Sequence, residues 1–447
     1  MALKGLDIFK LTPKTNCKDC GSPTCMAFAM KVAQGAVTID KCPHMGDDVK
    51  AKLSEATAPP MKTIEVGAGD AAHKLGGETV LFRHEKTFVS RNTFAATLCS
   101  CMDDAAIDAA IEDIKKIDYE RISERMYVEM IYVNYAAEKG ADAYVALVKK
   151  AADLGRTLIL GCTDADAAKA ALDVCKEGKP VLDGVNASNY EAMNEIAKEA
   201  GVVLGVSGAS LDEIYDTVAA LEKLGNKNLV VDVTGATIKE TFANAVQLRR
   251  GAVKDGDRTC GYPSIVNVGR LAMGDSAMQA ALASMFVLKY GSIIVMEKMT
   301  YAEALPLYGL RQNIYTDPQK PMRVEPGIYA INGADENSPC AVTVDFALTY
   351  FVVSGEIERS GVPVNLLITD AGGYSVLTAW AAGKLSASSI SKFMDEKGIE
   401  EKIKNRKLII PGKVAVLKGE IEEKLPDWDV TVGTNEAIQL VNFLKAL

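Results

Sequence analysis

The stretch that most constrains this 447-residue chain is TNCKDCGSPTCMAFAMKVAQGAVTIDKCPHM, near its start. Cys17, Cys20 and Cys25 are spaced C-x2-C-x4-C, and Cys42 follows after sixteen further residues with Pro43 behind it. Four thiols so placed can converge on one centre, which makes this a metal-binding pattern. A zinc ribbon wants two C-x2-C pairs separated by roughly 15–20 residues, and here the second half supplies one thiol where a ribbon needs two. All-Cys iron–sulfur ligation accepts uneven spacing, and a Cys-Pro also closes the bacterial ferredoxin run. The expected occupant of Cys17, Cys20, Cys25 and Cys42 is a [4Fe-4S] cluster, with structural zinc or a free redox C-x-x-C as the alternatives that spacing leaves open.

The residues around the thiols suit that purpose. Thr24 reads as an N-cap and Met26 to Ala33 as helix, which puts Cys25 in a first turn where backbone N–H groups and the helix dipole favour a thiolate. Gly21 supplies the tight turn between the knuckles. Residues 1–57 carry eight Lys against six Asp plus Glu, a local +2 in a chain of net charge −9.

Length predicts two or three domains, and a composition 48% hydrophobic and 24% charged describes a globular protein with large buried sheets. The start has no apolar run suited to a signal peptide, and no stretch reaches the ~18 apolar residues of a membrane span. A cytoplasmic location is expected, with Cys99, Cys101, Cys162, Cys175, Cys260 and Cys340 as scattered buried thiols in a reducing compartment. The acidic balance without a basic run argues against nucleic acid or an anionic membrane as partner. Histidine occurs only at positions 44, 73 and 84, so chemistry in the later domains must use other groups.

Taken in order, a short charged helix runs to about residue 56 and breaks at Pro59-Pro60. From 58 to 325 short apolar runs alternate with amphipathic helical segments. The expected strands are ETVLF (78–82), MYVEMIYV (126–133), RTLIL (156–160), PVLDG (180–184), VVLGV (202–206), NLVVDV (228–233), SIVNV (264–268) and SIIVM (292–296). Eight strands each followed by a helix is the arithmetic of a (β/α)8 barrel, with an open doubly wound sheet as the alternative. Arg83, His84, Asn134, Cys162 to Asp164, Asp183, Asn186, Ser207, Asp232 and Asn267 would then point to the functional face, although Asp164, Asn186 and Ser207 are equally placed to cap helices.

A Pro- and Gly-rich linker around 318–337 leads to residues 326–447. There Asn337 or Ser338 is expected to cap a helix running from Cys340 to Glu358. Strand VNLLIT (364–369), helix SVLTAWAAG, helix SASSISKFMDEKG, strand KLIIPG (407–412), a second run VAVLK, strand DWDVTVG and a final helix capped by Thr434 make a small flavodoxin-like α/β domain. In such sheets ligands sit outside the carboxyl ends of the strands. Three turns there are rich in Gly and small polar residues: Thr369 to Ser375, Pro411-Gly412 and Gly433-Thr434.

With these residues laid out, the chain resembles the large-subunit family of corrinoid/iron–sulfur proteins, the methyl carriers of anaerobic acetyl-CoA synthesis by the Wood–Ljungdahl route. The likeness runs from LDIFKLTPKTNCKDCG-x-PTC…C through the barrel-like middle to TDAGGYSVLTAW, and departs at Ser22, where many relatives carry an aromatic. The resemblance implies a three-part α/β architecture: a [4Fe-4S] domain over 1–57, a TIM-like barrel over 58–325 and a corrinoid-binding domain over 326–447. It implies a cluster on the four cysteines and a cobalamin-type corrinoid. Thr369, Asp370, Ala371, Gly372, Gly373, Tyr374 and Ser375 would lie along its lower face with Cys340, Thr343 and Phe346, while Gly412, Gly433 and Thr434 would lie near its rim or nucleotide tail. Tyr374 or Thr378 would approach the cobalt. Since this domain has no His, the cobalt would be base-off and His-off, which eases reduction because the axial ligand is one of the protein's levers on a metal's potential.

The implied partners are a smaller subunit in a heterodimer, a methyltetrahydrofolate methyltransferase, acetyl-CoA synthase/CO dehydrogenase, and a reductive activator or ferredoxin. The cobalt would take a methyl group and pass it on, and the cluster would reductively rescue Co(II). Serving several partners in turn predicts a mobile C-terminal domain on the 318–337 linker. Two other functions compete: a ferredoxin-like electron carrier whose barrel only docks partners, and a barrel methyltransferase that itself binds a pterin.

Overall fold

The computed structural model describes residues 5–33, 37–50, 53, 58–122, 124–316 and 322–447. The chain divides into two compact units, one formed by residues 1–117 with 127–314, the other by 118–126 with 315–447.

In the first unit, helices Gly5–Lys10 and Cys25–Ala33 pack through Ile8, Phe28, Ala29 and Val32 onto Ile39, Cys42 and Met45, a small apolar core beneath the cysteine loops. Eight parallel strands then close into a barrel, in the order Thr93–Cys99, Met130–Asn134, Thr157–Gly161, Val181–Val185, Val203–Val206, Leu229–Asp232, Ser264–Asn267 and Ile293–Met296, with the last paired to the first. Each is followed by a helix, from Asp104–Lys116 to Tyr301–Ile314. The closed sheet excludes the open alternative. Helix starts follow the chemistry of their caps: Asp103, Asp164, Ser210, Thr237 and Asp275 each accept a hydrogen bond from the backbone N–H three residues on. Thus Asp164 caps as expected, while Ser210 rather than Ser207 caps its helix.

Two strand expectations fail for one reason, buried carboxylates that hold backbone in place of a ladder. Residues 78–82 are not a strand. Glu78 is buried, accepts from the N–H groups of Val89 and Ser90, and lies 3.9 Å from Arg249. The first barrel strand is instead Thr93–Cys99, TFAATLC, buried on both faces for most of its length, with Thr93 and Thr97 interrupting its apolar residues. Arg83 accordingly sits away from any strand end and donates to the carbonyls of Asn313 and Ile314. The run at 126–133 is cut at Glu129, which accepts from Phe94 N–H and pairs at 2.6 Å with Arg311. Its first half belongs to a hairpin, Asp118–Arg121 with Glu124–Tyr127, of which residues 118–126 group with the second unit. A further hairpin, Thr63–Val66 with His73–Gly76, meets the amino ends of barrel strands: Gly67 N–H donates to Lys179 O, and Thr157 Oγ1 donates to Ala71 O at 2.5 Å. Cys99 and Cys101 are not free thiols but a disulfide, the turn after the first strand bringing their Cα atoms to 5.1 Å.

The second unit is a five-stranded sheet in the order Gly327–Ile331, Val364–Thr369, Cys340–Val344, Lys407–Ile410, Asp429–Val432, parallel except for its first, antiparallel edge. Counting only parallel strands, the order is 2-1-3-4, the flavodoxin-like winding. Several assignments change. Cys340 to Val344 is a strand buried along its whole length, and the helix begins only at Ala347 and runs to Ser360. The sequence CAVTVDFALTY fits either periodicity, and burial on both faces decides for the strand. Within the expected linker, Gly327–Ile331 is the edge strand, while residues 317–321 lie outside the described residues. VAVL lies in the 3-10 segment Gly412–Leu417 and Lys418 opens the helix Lys418–Lys424, and the last helix is Leu440–Lys445, with Thr434 donating to Glu436 O instead of capping.

Arg311 and Glu129 are both buried and paired in the barrel wall. Arg311→Met removes one partner and leaves the other charge uncompensated, so the barrel is expected to lose about 3–5 kcal/mol, read as a fall in the urea midpoint followed by tryptophan-independent far-UV circular dichroism.

Candidate functional sites

Three places combine polar or sulfur chemistry with a defined geometry: the cysteine loops, the barrel's carboxyl end, and the carboxyl edge of the open sheet.

The cysteine loops are shaped by backbone that few residues adopt. Lys14, Asn16 and Lys18 have positive φ (57°, 50° and 72°), as does Gly21 at 73°. Alternation with left-handed residues turns successive N–H groups to one side, a concavity that suits anions and iron–sulfur centres. Gly21 is thus a turn residue as expected, whereas the left-handed Asn16 has a second function. Its Oδ1 accepts from Cys25 N–H at 2.8 Å and ties the first loop to the helix start that Thr24 caps. Cys17 is exposed, Cys20 half-buried, and Cys25 and Cys42 buried. All four are free thiols. A four-cysteine zinc site would hold its sulfurs roughly 3.8 Å apart, given Zn–S near 2.3 Å. Among the described residues, the one group of three or more potential ligands within 4.8 Å of one another is Cys17 with Asp19 and His44, so no three of the thiols are drawn that close. An all-thiol donor set of uneven spacing fits a polynuclear cluster. His44 stands 2.6 Å from Asp19 and holds that carboxyl below its ordinary range.

At the barrel's carboxyl end Tyr132 donates to Asp183 Oδ2 at 2.9 Å, and Arg270 donates to the Tyr132 hydroxyl at 3.2 Å while lying 3.8 Å from Asp232. The cluster needs two glycines: a Cβ at Gly161 would fall 2.5 Å from the Tyr132 ring and one at Gly205 2.4 Å from Asp183 Oδ1. Asp183 Oδ1 is buried without a partner. Burial pushes the Asp183 and Asp232 carboxyls upward, the negative charge of Asp232 adding to the rise at Asp183, and burial likewise raises Tyr132. The cluster is buried at its two carboxyls and reaches solvent through the Arg270 side chain, which is 55% exposed.

The open sheet differs. Its first and third parallel strands, Cys340–Val344 and Lys407–Ile410, are neighbours whose connections leave to opposite sides, the switch point at which open sheets bind ligands. A groove of about 370 Å³ opens there. Its floor is Ala341 to Thr343 and Ile409 to Pro411, and one wall is Leu348, Thr349 and Val352 of the Ala347–Ser360 helix. Ser375 to Leu377 and Gly433 to Ala437 complete it. The volume is within the range of roughly 300–1,000 Å³ seen for ligand pockets. Thr343 Oγ1, in the floor, is buried without a hydrogen-bond partner, a polar group that a ligand can satisfy.

Of the expected corrinoid residues, Thr343, Phe346, Ser375, Gly433 and Thr434 line the groove. Cys340 does not: it is fully buried in the core on the sheet's other side, where burial pushes its thiol up to about 12. Thr369, Asp370, Ala371, Gly372, Gly373, Tyr374, Thr378 and Gly412 are also absent from its walls. Thr369 Oγ1 donates to Thr343 O, Tyr374 lies under the Lys384 ammonium at 4.9 Å, and Thr378 shares a hydrogen bond with Ser375. Gly412 is a close-approach residue, since a Cβ there would meet Gly433 O at 2.7 Å.

Two residues outside the expected set organise this edge. Asp345, fully buried, accepts from the N–H groups of Ala371 and Gly373 at 3.0 and 2.9 Å and so fixes the 370–374 loop; Arg323 approaches both Asp345 and Asp370. The apolar wall was also missed, although Leu348 and Val352 stand four apart and exposed on a helix.

A family model described as CO dehydrogenase/acetyl-CoA synthase delta subunit matches residues 63–444, and an Fe-S cluster model matches residues 13–44. The corrinoid/iron-sulfur protein large subunit of Moorella thermoacetica is 39% identical over 446 residues, covering 100% of this chain and 99% of its own. The chain belongs to the corrinoid/iron-sulfur protein large subunit family. A second relative, the acetyl-CoA decarbonylase/synthase complex subunit gamma of Methanopyrus kandleri, is 32% identical over 99% of this chain and 97% of its own. Among solved structures, dihydropteroate synthase of Thermus thermophilus overlaps 56% of this chain and 99% of its own at 16% identity, with a TM-score of 0.40. Among the described residues of this family member, no helix is long and apolar enough to cross a membrane.

Two outcomes are expected. Asp345→Ala leaves two buried N–H groups unpaired at a cost of about 1–3 kcal/mol each, so limited proteolysis should open a new cleavage site at 370–374. In the barrel, a carboxyl raised on folding binds a proton that the unfolded chain has released, so stability falls as pH rises from the ordinary carboxylate range toward the raised value, by about 1.4 kcal/mol per pH unit for each proton held. Asp183→Asn should flatten that slope in urea titrations taken at successive pH values.

Proposed function

We propose that this chain is a methyl carrier for acetyl-CoA synthesis, holding a corrinoid at the carboxyl edge of its open sheet and an iron–sulfur cluster on Cys17, Cys20, Cys25 and Cys42. The observation that carries the reading is the groove at the switch point, with its unsatisfied Thr343 hydroxyl, in a chain that matches corrinoid/iron-sulfur relatives over its full length.

When bound, the corrinoid supplies a cobalt that accepts and releases a methyl group, and the cluster supplies single electrons. The protein's part is positioning and exclusion. Ala341, Val342, Leu348, Val352 and Ile410 present apolar surface that keeps water from a buried ligand face. Thr343 and Thr434 offer hydroxyls to the amide groups around a corrin, and Asp345 keeps the adjoining loop in one shape. The three histidines, at 44, 73 and 84, all belong to the first unit, so the unit with the groove offers no imidazole as an axial ligand. At the front of the chain, Asn16 and Thr24 accept the N–H groups of Cys25 and Ala27 and so fix the start of the helix that carries Cys25, while the left-handed residues shape the loop before it.

The carrier works with a smaller partner subunit, a methyltransferase that loads it from methyltetrahydrofolate, acetyl-CoA synthase as acceptor, and a reductive activator or ferredoxin as electron source. The electron-carrier alternative has no use for a groove at the sheet edge. The pterin alternative is told apart by metal content, since it asks for no cobalt.

Purified anaerobically with its partner subunit, the protein should contain cobalt as well as iron and acid-labile sulfide. Iron without cobalt would reject the carrier reading. Cys20→Ala should abolish the iron–sulfur electron paramagnetic signal and reductive rescue of Co(II), yet leave methyl transfer from pre-reduced protein within about threefold of wild type, a change under 1 kcal/mol.

A further inference from the structure

The loop after the first barrel strand carries sulfur chemistry that neither the four N-terminal thiols nor the groove uses. Cys99 and Cys101 form a disulfide around the single residue Ser100, with Cys99 half-buried and Cys101 exposed. A crosslink contributes most to stability when it closes a long loop, and this one encloses one residue. The loop is also held without it. Ser100 N–H donates to Asn134 O at 3.1 Å, Ser100 Oγ accepts from Ala136 N–H at 2.9 Å, and Met102 N–H donates to Cys99 O at 3.0 Å. Opening the S–S bond therefore leaves the backbone that carries both sulfurs anchored.

The two sulfurs differ. Cys99 Sγ accepts from Cys101 N–H at 3.2 Å and from Asn134 Nδ2 at 3.6 Å, donors that favour a thiolate once the bond opens. Cys101 is the sulfur that an incoming thiolate can reach. The thiols elsewhere in the barrel and the open sheet are of another kind: burial pushes Cys162 and Cys260 up to about 11 and Cys175 and Cys340 up to about 12, which keeps them protonated and unreactive.

We propose that Cys99 and Cys101 are a redox-active thiol–disulfide couple whose substrate is a soluble dithiol, whatever the groove holds. The dithiol's thiolate attacks Cys101 Sγ and forms an S–S bond to it, the Cys99–Cys101 bond breaks, and Cys99 leaves as a thiolate that takes up a proton. The dithiol's second sulfur then attacks its first, closing the dithiol's own disulfide and releasing Cys101 as a thiol. Two electrons and two protons pass to the pair, and the dithiol is oxidised to its disulfide. Asn134 is a positioning residue, steadying the charge on the departing sulfur.

The test uses the full-length chain with its partner subunit, held anaerobically in glutathione buffers of stepped reduced-to-oxidised ratio and then alkylated. The tryptic peptide 92–115 contains both cysteines and no other, so its mass reports the pair alone. It should pass from disulfide to doubly alkylated within the glutathione range, where a structural disulfide resists reduction. Asn134→Ala should slow reduction by dithiothreitol about three- to tenfold, the worth of one hydrogen bond, and shift the glutathione midpoint toward the disulfide. Cys99→Ser, which keeps the exposed sulfur, should form a mixed disulfide with oxidised glutathione at least tenfold faster than Cys101→Ser. Unchanged circular dichroism and iron content certify that each variant is folded. A peptide that stays oxidised, or stays reduced, at every ratio overturns the proposal. So does an Asn134→Ala protein that matches wild type in both rate and midpoint, or a Cys101→Ser protein as reactive as Cys99→Ser, since either removes Cys99 as the leaving sulfur.

Discussion

A parallel sheet must decide what to do with the carboxyl ends of its strands, and this chain contains both solutions. Closing the sheet into a barrel removes edges and switch points, so whatever lies at the mouth depends on the side chains that fill it. Here Tyr132, Asp183, Asp232 and Arg270 form a linked polar cluster, in space cleared by Gly161 and Gly205. Leaving the second sheet open puts two neighbouring strands back to back with diverging connections, and a groove follows without any side chain having to be removed. The difference between the carboxyl ends of the two sheets follows from that single difference in closure.

Polar groups then decide local detail. Glu78, Glu129 and Asp345 are buried carboxylates that hold backbone N–H groups, and each marks a place where regular structure stops. Such groups are costly unless paired, and each has its partners: Arg249 near Glu78, Arg311 on Glu129, Arg323 at Asp345. The carboxylates at the barrel mouth are held differently, by staying protonated more readily than an exposed acid would.

These same residues explain what could be read in advance. Seven barrel strands and most helices follow from apolar runs and caps, because burial there is uniform and periodicity reports it. The first strand, TFAATLC, has its two large apolar residues, Phe94 and Leu98, separated by Ala and Thr, which weakens that signal, and Glu78 and Glu129 sit beside or inside apolar runs that look like strands until the carboxylate's partners are known. Cys340 to Val344 misled for another reason: a strand buried on both faces has no alternation, so a neighbouring helix absorbs it. With its true start at Ala347, that helix turns Leu348 and Val352 toward the groove, which is why the apolar wall escaped a reading that had located Thr343, Phe346, Ser375, Gly433 and Thr434. The four thiols were legible because metal ligation is written in spacing, whereas the left-handed Lys14, Asn16 and Lys18 that shape their loops carry no sequence mark.

The hairpin of residues 118–126 groups with the unit completed only by the far end of the chain. During synthesis it leaves the ribosome almost two hundred residues before the segment 315–447 with which it groups, and all eight barrel strands are made in that interval or before it. The unit that contains the groove is therefore assembled after the strands of the barrel have been made, and a ligand that enters the groove does so later than barrel synthesis.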